Sequence, residues 1–126
     1  SGAPTASMVY KLVSHTDEAG HEVSVAKASK NKASVGGRKY ALRRLDERGR
    51  ATQEIIGVGH RPHDDGNDRP LLEHFIAGGE LKPGWTGPEG VARARERHAA
   101  SLAELPSSVQ RMHRGEAAIT TVYEES

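Results

Sequence analysis

The sequence predicts an α+β chain in which an antiparallel β meander of hairpins is followed by one C-terminal helix. Three observations carry this. Apolar and β-branched residues alternate with a period of two through the first half. Polar, glycine-centred stretches separate those runs. Beyond Pro88 the apolar spacing changes to the helical period and stops at Pro106.

The elements follow in order. SGAPT is a loop: two small residues and a Pro before a hydroxyl. MVYKLV, Met8 to Val13, has the β-branched and aromatic content of a strand. HTDEAGHE turns the chain at Gly20, and EVSVAK returns it, with Val23 and Val25 alternating against Glu22 and Ser24. After a basic segment broken by Gly36-Gly37, KYALRR resumes the alternation with Tyr40 and Leu42 on one face. LDERGRA turns at Gly49 and TQEIIGV closes the second hairpin. Residues 59–70, GHRPHDDGNDRP, contain no apolar residue apart from proline and are expected to be a disordered loop. LLEHFIA and a short strand near Glu80-Leu81 flank a turn at Gly78-Gly79. KPGWTGPEG is a loop whose Thr86 or Gly87 caps a helix with Pro88 in its first turn. That helix runs from Glu89 to about Leu105, with Val91, Ala94, His98, Leu102 and Leu105 as its buried stripe. The tail after Pro106 is expected to be partly extended, and no internal repeat is present.

Composition sets bounds. The 126 residues suffice for one domain, but only 35% are hydrophobic and 4% aromatic, which predicts a thin core that leans on something larger. The net charge of +1 gives no global field for nucleic acid or membrane, so any electrostatic function is local. With no cysteine, disulfides and thiolate metal sites are excluded. No apolar run reaches the length of a membrane span, and no signal peptide opens the chain, so a cytoplasmic location is expected.

The local charge lies in one place. From Val23 to Leu45 there is no acid, while Lys27, Lys30, Lys32, Arg38, Lys39, Arg43 and Arg44 are all present. A solvated turn is the plain explanation, since charge runs usually face water. Three details favour an anion site. Ser29, Ser34 and the Gly36-Gly37 pair are interleaved with the cations, offering hydroxyl donors and a backbone that phosphate can approach. Arg38 supplies a planar fork where the lysines act as point charges. The segment lies between two predicted strands that would present it rigidly. A nucleic-acid groove would need stacking aromatics, and only Tyr40 is near, so a small phosphorylated ligand is favoured.

His60, His63, Asp64 and Asp65 are residue types that bind zinc, but a polar Gly- and Asp-rich loop has no framework to fix ligand geometry, so no metal site is expected. The other histidines (His15, His21, His74, His98, His113) are scattered, and His98 reads as a packed or boundary residue. There is no nucleophile elbow, no paired-carboxylate spacing and no Walker-type loop, so no catalytic residue is assigned.

SGAPTASMVYKLV, KASKNKASVGGRKYALRR and ARERHAASLAELPSSVQRMHRGEAAITT resemble, in that order, the C-terminal portion of nicotinate phosphoribosyltransferase. The likeness runs from Ser1 to about Tyr123. It implies a fragment of the α/β barrel plus α/β sandwich architecture of type II phosphoribosyltransferases. Residues 1–8 would end the barrel, residues 9–86 would form a β region with the basic loop 27–39, and residues 87–126 the helix and tail. It implies the formation of nicotinate mononucleotide and pyrophosphate from nicotinate and phosphoribosyl pyrophosphate, with ATP and magnesium as co-substrates of the full-length enzyme. The expected partners are these small molecules, the upstream barrel and a second subunit of a homodimer, with neither nucleic acid nor membrane. The catalytic histidine of the family lies upstream, so the fragment alone is expected to be inactive. By the same resemblance, Lys27, Ser29, Lys32, Gly37, Arg38, Lys39 and Arg43 are the phosphate- and pyrophosphate-binding candidates, while Ser1, Gly2 and Thr5 border the 5′-phosphate site. The pattern departs from the family at Gly36, where many members have Pro, and in the short Ser29–Lys32 spacing, so which lysine meets which phosphate stays open. The alternatives are a stand-alone phosphate- or nucleic-acid-binding module and a purely structural domain.

Overall fold

The computed structural model describes residues 7–28, 34–111 and 117–125. The chain separates into two compact units, residues 1–38 and residues 39–126.

The first unit is a small hairpin with a third segment laid on it. Strands β1 (Ser14–Thr16) and β2 (Glu22–Ser24) pair antiparallel, Ser14 opposite Ser24 and Thr16 opposite Glu22. Asp17 makes the turn, its Oδ1 accepting the N–H groups of Ala19 and His21 at 2.9 and 2.8 Å. The Val13 carbonyl then accepts two N–H groups, from Val25 at 2.8 Å and from Gly37 at 2.7 Å. Only glycine fits at position 36, because an added Cβ would lie 2.6 Å from the Val25 carbonyl oxygen.

The strand expected over Met8 to Val13 is not formed: the chain there is irregular and pairing begins at Ser14. Val9 is 93% exposed, and Met8, Tyr10 and Leu12 are exposed as well. A high β propensity expresses packing against a neighbour, and this segment has no sheet partner among the described residues.

The second unit is a four-stranded sheet with a helix. β3 (Lys39–Leu45) and β4 (Ala51–Val58) form the predicted hairpin, with a register shift between Arg44 and Leu45. β5 (Arg69–Pro70) lies on the outer side of β3, opposite Leu42 and Arg43. A detached hairpin of β6 (Ile76–Ala77) and β7 (Glu80–Leu81) follows, then α1 (Gly87–Ala103), a 3₁₀ turn (Ser107–Arg111) and β8 (Thr120–Glu124). β8 pairs parallel to β4, giving the order β5-β3-β4-β8. The sheet is therefore mixed, not the antiparallel meander expected, because α1 lies in the connection that carries the chain back to run beside β4.

The 59–70 stretch is ordered, contrary to expectation. Charge holds it, since Arg44 reaches across to Asp65 and Asp68. The turn also needs Gly57, which is buried, because a Cβ there would lie 2.2 Å from the His60 carbonyl oxygen and 3.1 Å from the Pro62 ring.

The helix starts where predicted, at Thr86 with Pro88 in its first turn, and stops before Pro106. Its packing face differs from the prediction. Val91 and Leu102 are each more than half exposed, and His98 is exposed. The stripe that meets the rest of the unit is Gly90, Arg93, Arg97, Ser101 and Glu104. Gly90 abuts the Trp85 backbone, Arg93 lies 5.1 Å over the Trp85 ring, and Arg97 donates to the Leu71 carbonyl. Phe75 completes this aromatic corner, 6.2 Å from Trp85 between ring centroids. Among the described residues the buried apolar core is Ala51 and Ile55, both on β4. Within them no helix is long and apolar enough to cross a membrane.

The close contact at Gly57 gives a direct expectation. Gly57→Ala should lower the unfolding free energy by roughly 3 kcal/mol, the upper range for overpacking a tight site. Thr52→Ala, on an exposed position of the same strand, should change it by about 0.5 kcal/mol or less. Urea titration followed by circular dichroism measures both, and equal midpoints would remove the steric assignment.

Candidate functional site

In the first unit the basic segment is clasped to the hairpin by the double acceptor at Val13. Lys11 lies three residues before the first paired residue, Ser14, and Lys27 three residues after the last, Ser24. Lys11 Nζ donates to Ser34 Oγ at 2.6 Å, and both lysines are exposed. One ammonium group and a hydroxyl are thus joined beside the hairpin, while the carboxylates Asp17 and Glu18 sit at its tip. Lys11 was not among the candidates, because it sits in a strand-like run outside the acid-free window. Its hydrogen bond to Ser34, not charge density, is the signal that finds it.

The other candidates in this unit sort differently. Lys27 is exposed. Gly37, expected to offer its N–H to phosphate, is buried at φ 95° and gives that N–H to the Val13 carbonyl, so it supports the loop backbone instead. Arg38 is exposed at the boundary of the unit. Ser29, Lys32, Ser1, Gly2 and Thr5 lie outside the described residues.

In the second unit, Lys39 opens β3 opposite Val58. Arg43, grouped by the sequence with the phosphate-binding cations, is only 12% exposed at its side chain and meets two carboxylates, Glu54 at 3.0 Å and Glu104 at 3.0 Å. It also donates to the Ser101 carbonyl at 3.1 Å. Its charge is therefore directed into the fold, and its Nε is buried with no hydrogen-bond partner among the described residues. Arg69 grips the same Glu104 as a fork, Nε to Oε1 at 2.5 Å and Nη2 to Oε2 at 2.6 Å. Arg50 donates to the Ala103 and Leu105 carbonyls at 2.7 and 3.3 Å, and the Ala51 N–H to the Glu104 carbonyl at 2.7 Å. The last turn of α1 thus has its unsatisfied carbonyls and negative dipole end covered by arginines from the sheet. The Arg69 fork holds the Glu104 carboxyl below its ordinary range, helped by Arg43 and opposed by burial.

The 60–68 loop is a second charged cluster. Asp64, Asp65 and Asp68 bring their carboxylates within 4.8 Å of one another, and the cation they meet is Arg44. Asp68, whose side chain is fully buried, accepts from Arg44 Nη2 at 2.9 Å and Nε at 3.1 Å. That hydrogen bonding depresses the Asp68 carboxyl and raises the Arg44 guanidinium. His60 lies against the Val58 carbonyl through Nδ1, and the His63 N–H donates to Glu124 at 2.9 Å, so His60 and His63 serve the turn and β8. Tyr40 carries the Arg61 guanidinium over its ring at 5.4 Å.

The described residues present exposed lysines on a hydrogen-bonded hairpin, and among them no nucleophile is paired with a base. The chain is 38% identical over 122 residues to nicotinate phosphoribosyltransferase pncB1 of Mycobacterium tuberculosis strain CDC 1551 / Oshkosh, and equally to that of strain ATCC 25618 / H37Rv. The match takes in 96% of this chain and 25% of each relative, so the chain spans about a quarter of the length of the curated relatives it matches. The chain is homologous to a part of nicotinate phosphoribosyltransferase, and the likeness read from its motifs extends along nearly all of it. No family model and no solved structure matches it.

Because Glu104 and Asp68 are both depressed, the stability they lend is fully present above the usual carboxyl range of about pH 4 and is lost as pH falls below it. Acid titration should therefore lower the thermal unfolding midpoint progressively from about pH 4 downward. Glu104→Gln should flatten part of that dependence. At neutral pH it should cost roughly 3 kcal/mol, the loss expected when one partner of a mostly buried ion pair is removed. An unchanged neutral-pH midpoint would contradict the assigned role.

Proposed function

We propose that this chain is the C-terminal part of a nicotinate phosphoribosyltransferase and that its basic segment helps to hold the pyrophosphate that departs in the reaction. The observation that supports the site assignment is the exposed Lys11 hydrogen-bonded to Ser34 of the basic segment, with Lys27 exposed in the same unit. The homology to part of that enzyme supplies the reaction class. The ring nitrogen of nicotinate would form a bond to the anomeric carbon of phosphoribosyl pyrophosphate as the bond from that carbon to the pyrophosphate oxygen breaks. The bonding pair leaves with pyrophosphate. Charge grows on those oxygens while the anomeric carbon becomes cation-like, and ammonium groups already aimed there stabilise the charge as it develops. Arg43 and Gly37 act in this proposal as scaffolding, with Lys11, Lys27 and Ser34 as the groups facing the anion. Lys39 heads the second unit and is tested separately. ATP and magnesium would act in the full-length enzyme, through residues outside this chain. A nucleic-acid surface is disfavoured, because the nearby aromatic, Tyr40, already stacks with Arg61.

The test is kinetic, in the full-length protein. Lys27→Ala, Lys39→Ala and Lys11→Ala should each lower turnover by about a hundredfold, corresponding to about 3 kcal/mol of barrier for one oriented donor, or raise the requirement for phosphoribosyl pyrophosphate. Wild-type behaviour of Lys11→Ala, Lys27→Ala and Lys39→Ala alike would remove the site assignment and leave the homology untouched.

A further inference from the structure

His60 holds its ring between two oxygens. Nδ1 lies 3.2 Å from the Val58 carbonyl oxygen. Nε2 is buried, has no hydrogen-bond partner among the described residues and stands 3.8 Å from Glu124 Oε1. The backbone fixes this placement. Gly57 pairs with Glu124 in the β4–β8 register, and the tight turn against Gly57 brings residue 60 back beside that pair. Neutral imidazole carries one N–H and one bare lone pair. Whichever nitrogen holds the proton, the other then turns a lone pair toward an oxygen. The imidazolium, with a donor at each nitrogen, matches both neighbours. Other charged groups border this pair. The His63 N–H donates to the same Glu124 oxygen at 2.9 Å. From β3, Lys39 stands opposite Val58, and Arg44, raised first by its hydrogen bond to Asp68, also feels the Glu124 charge. Within the turn, Arg61 lies over the Tyr40 ring and Asp65 meets Arg44.

We infer that His60 is a proton-operated fastener for β8, tying the end of that strand to the turn after β4 when its ring is charged and loosening it when the ring is neutral. Protonation and docking of β8 favour each other, because the docked strand presents a carboxylate to the charged ring and a detached strand does not. Docking is therefore stronger on the acid side of the range, about pH 5 to 8, in which histidine ordinarily changes charge, and weaker on the alkaline side. The gain is lost again near about pH 4, where carboxylates protonate. The two side chains are 24% and 33% exposed, so water screens the pair and the effect is graded, not all-or-none. The device stands on the geometry of β4, β8 and the turn and does not depend on the proposed phosphate chemistry.

Backbone hydrogen exchange, read by mass spectrometry on the peptide covering β8 in the full-length protein, tests this. After correction for the intrinsic pH dependence of exchange, β8 should exchange about two- to fivefold more slowly at about pH 5.5 than at about pH 7.5, the range expected of a partly exposed ion pair. His60→Gln and Glu124→Gln, each neutral at both pH values, should remove that difference. His63→Gln should keep it, because residue 63 reaches Glu124 through its backbone N–H. Glu124→Gln retains an oxygen for that N–H, so it decides the matter if His60→Gln does not fold. Equal exchange of the parent protein at both pH values overturns the inference. So does a difference that survives in His60→Gln or Glu124→Gln, or one that disappears in His63→Gln.

Discussion

The capture of one carboxylate holds the second unit together. Glu104 sits where the helix ends and receives Arg43 from the middle of the sheet and Arg69 from its edge strand. Two strands distant in sequence converge on its two oxygens. Arg50 and the Ala51 N–H then cover the neighbouring carbonyls, so the helix is attached by its C-terminal turn. A helix docked in this way does not need an apolar stripe. The stripe it uses is Gly90, Arg93, Arg97, Ser101 and Glu104, and the more apolar residues on its surface stay in solvent. Charge-assisted hydrogen bonds replace burial as the docking force, which is consistent with a core of two buried apolar residues among those described.

What could be read from the sequence follows from the same division. Hairpins set by local alternation and turn residues were legible, including β3 and β4 around Gly49 and the short pair at Gly78-Gly79. So were the helix limits at Thr86 and Pro106, because capping and proline act locally. Features decided by distant partners were not legible. The Met8–Val13 run has strand-forming residues and, among the described residues, no strand to pair with. The 59–68 loop lacks apolar residues and is ordered by Arg44 from β3. The helix face could not be predicted from hydrophobic spacing when arginines were the docking partners.

The candidate site shows the same pattern. Charge counting located the basic segment but treated its members alike. Geometry separates Arg43, directed into the carboxylates of Glu54 and Glu104, and Gly37, whose N–H closes the loop onto Val13, from the exposed Lys27. It also adds Lys11, which no count over the acid-free window includes. A cation held in a hydrogen-bonded network supports the shape of a site.

That distinction bears on the anion-binding surface proposed for this small, polar chain. Lysines on a mobile surface lose side-chain entropy when they converge on a ligand. Here the backbone beneath them is fixed without a large core. The Val13 carbonyl holds two N–H groups, Gly36 admits no Cβ against Val25, and Ser34 already engages Lys11. In the proposed function, part of the ordering is therefore complete before an anion arrives, and a compact, highly charged group such as a diphosphate is the ligand this suits.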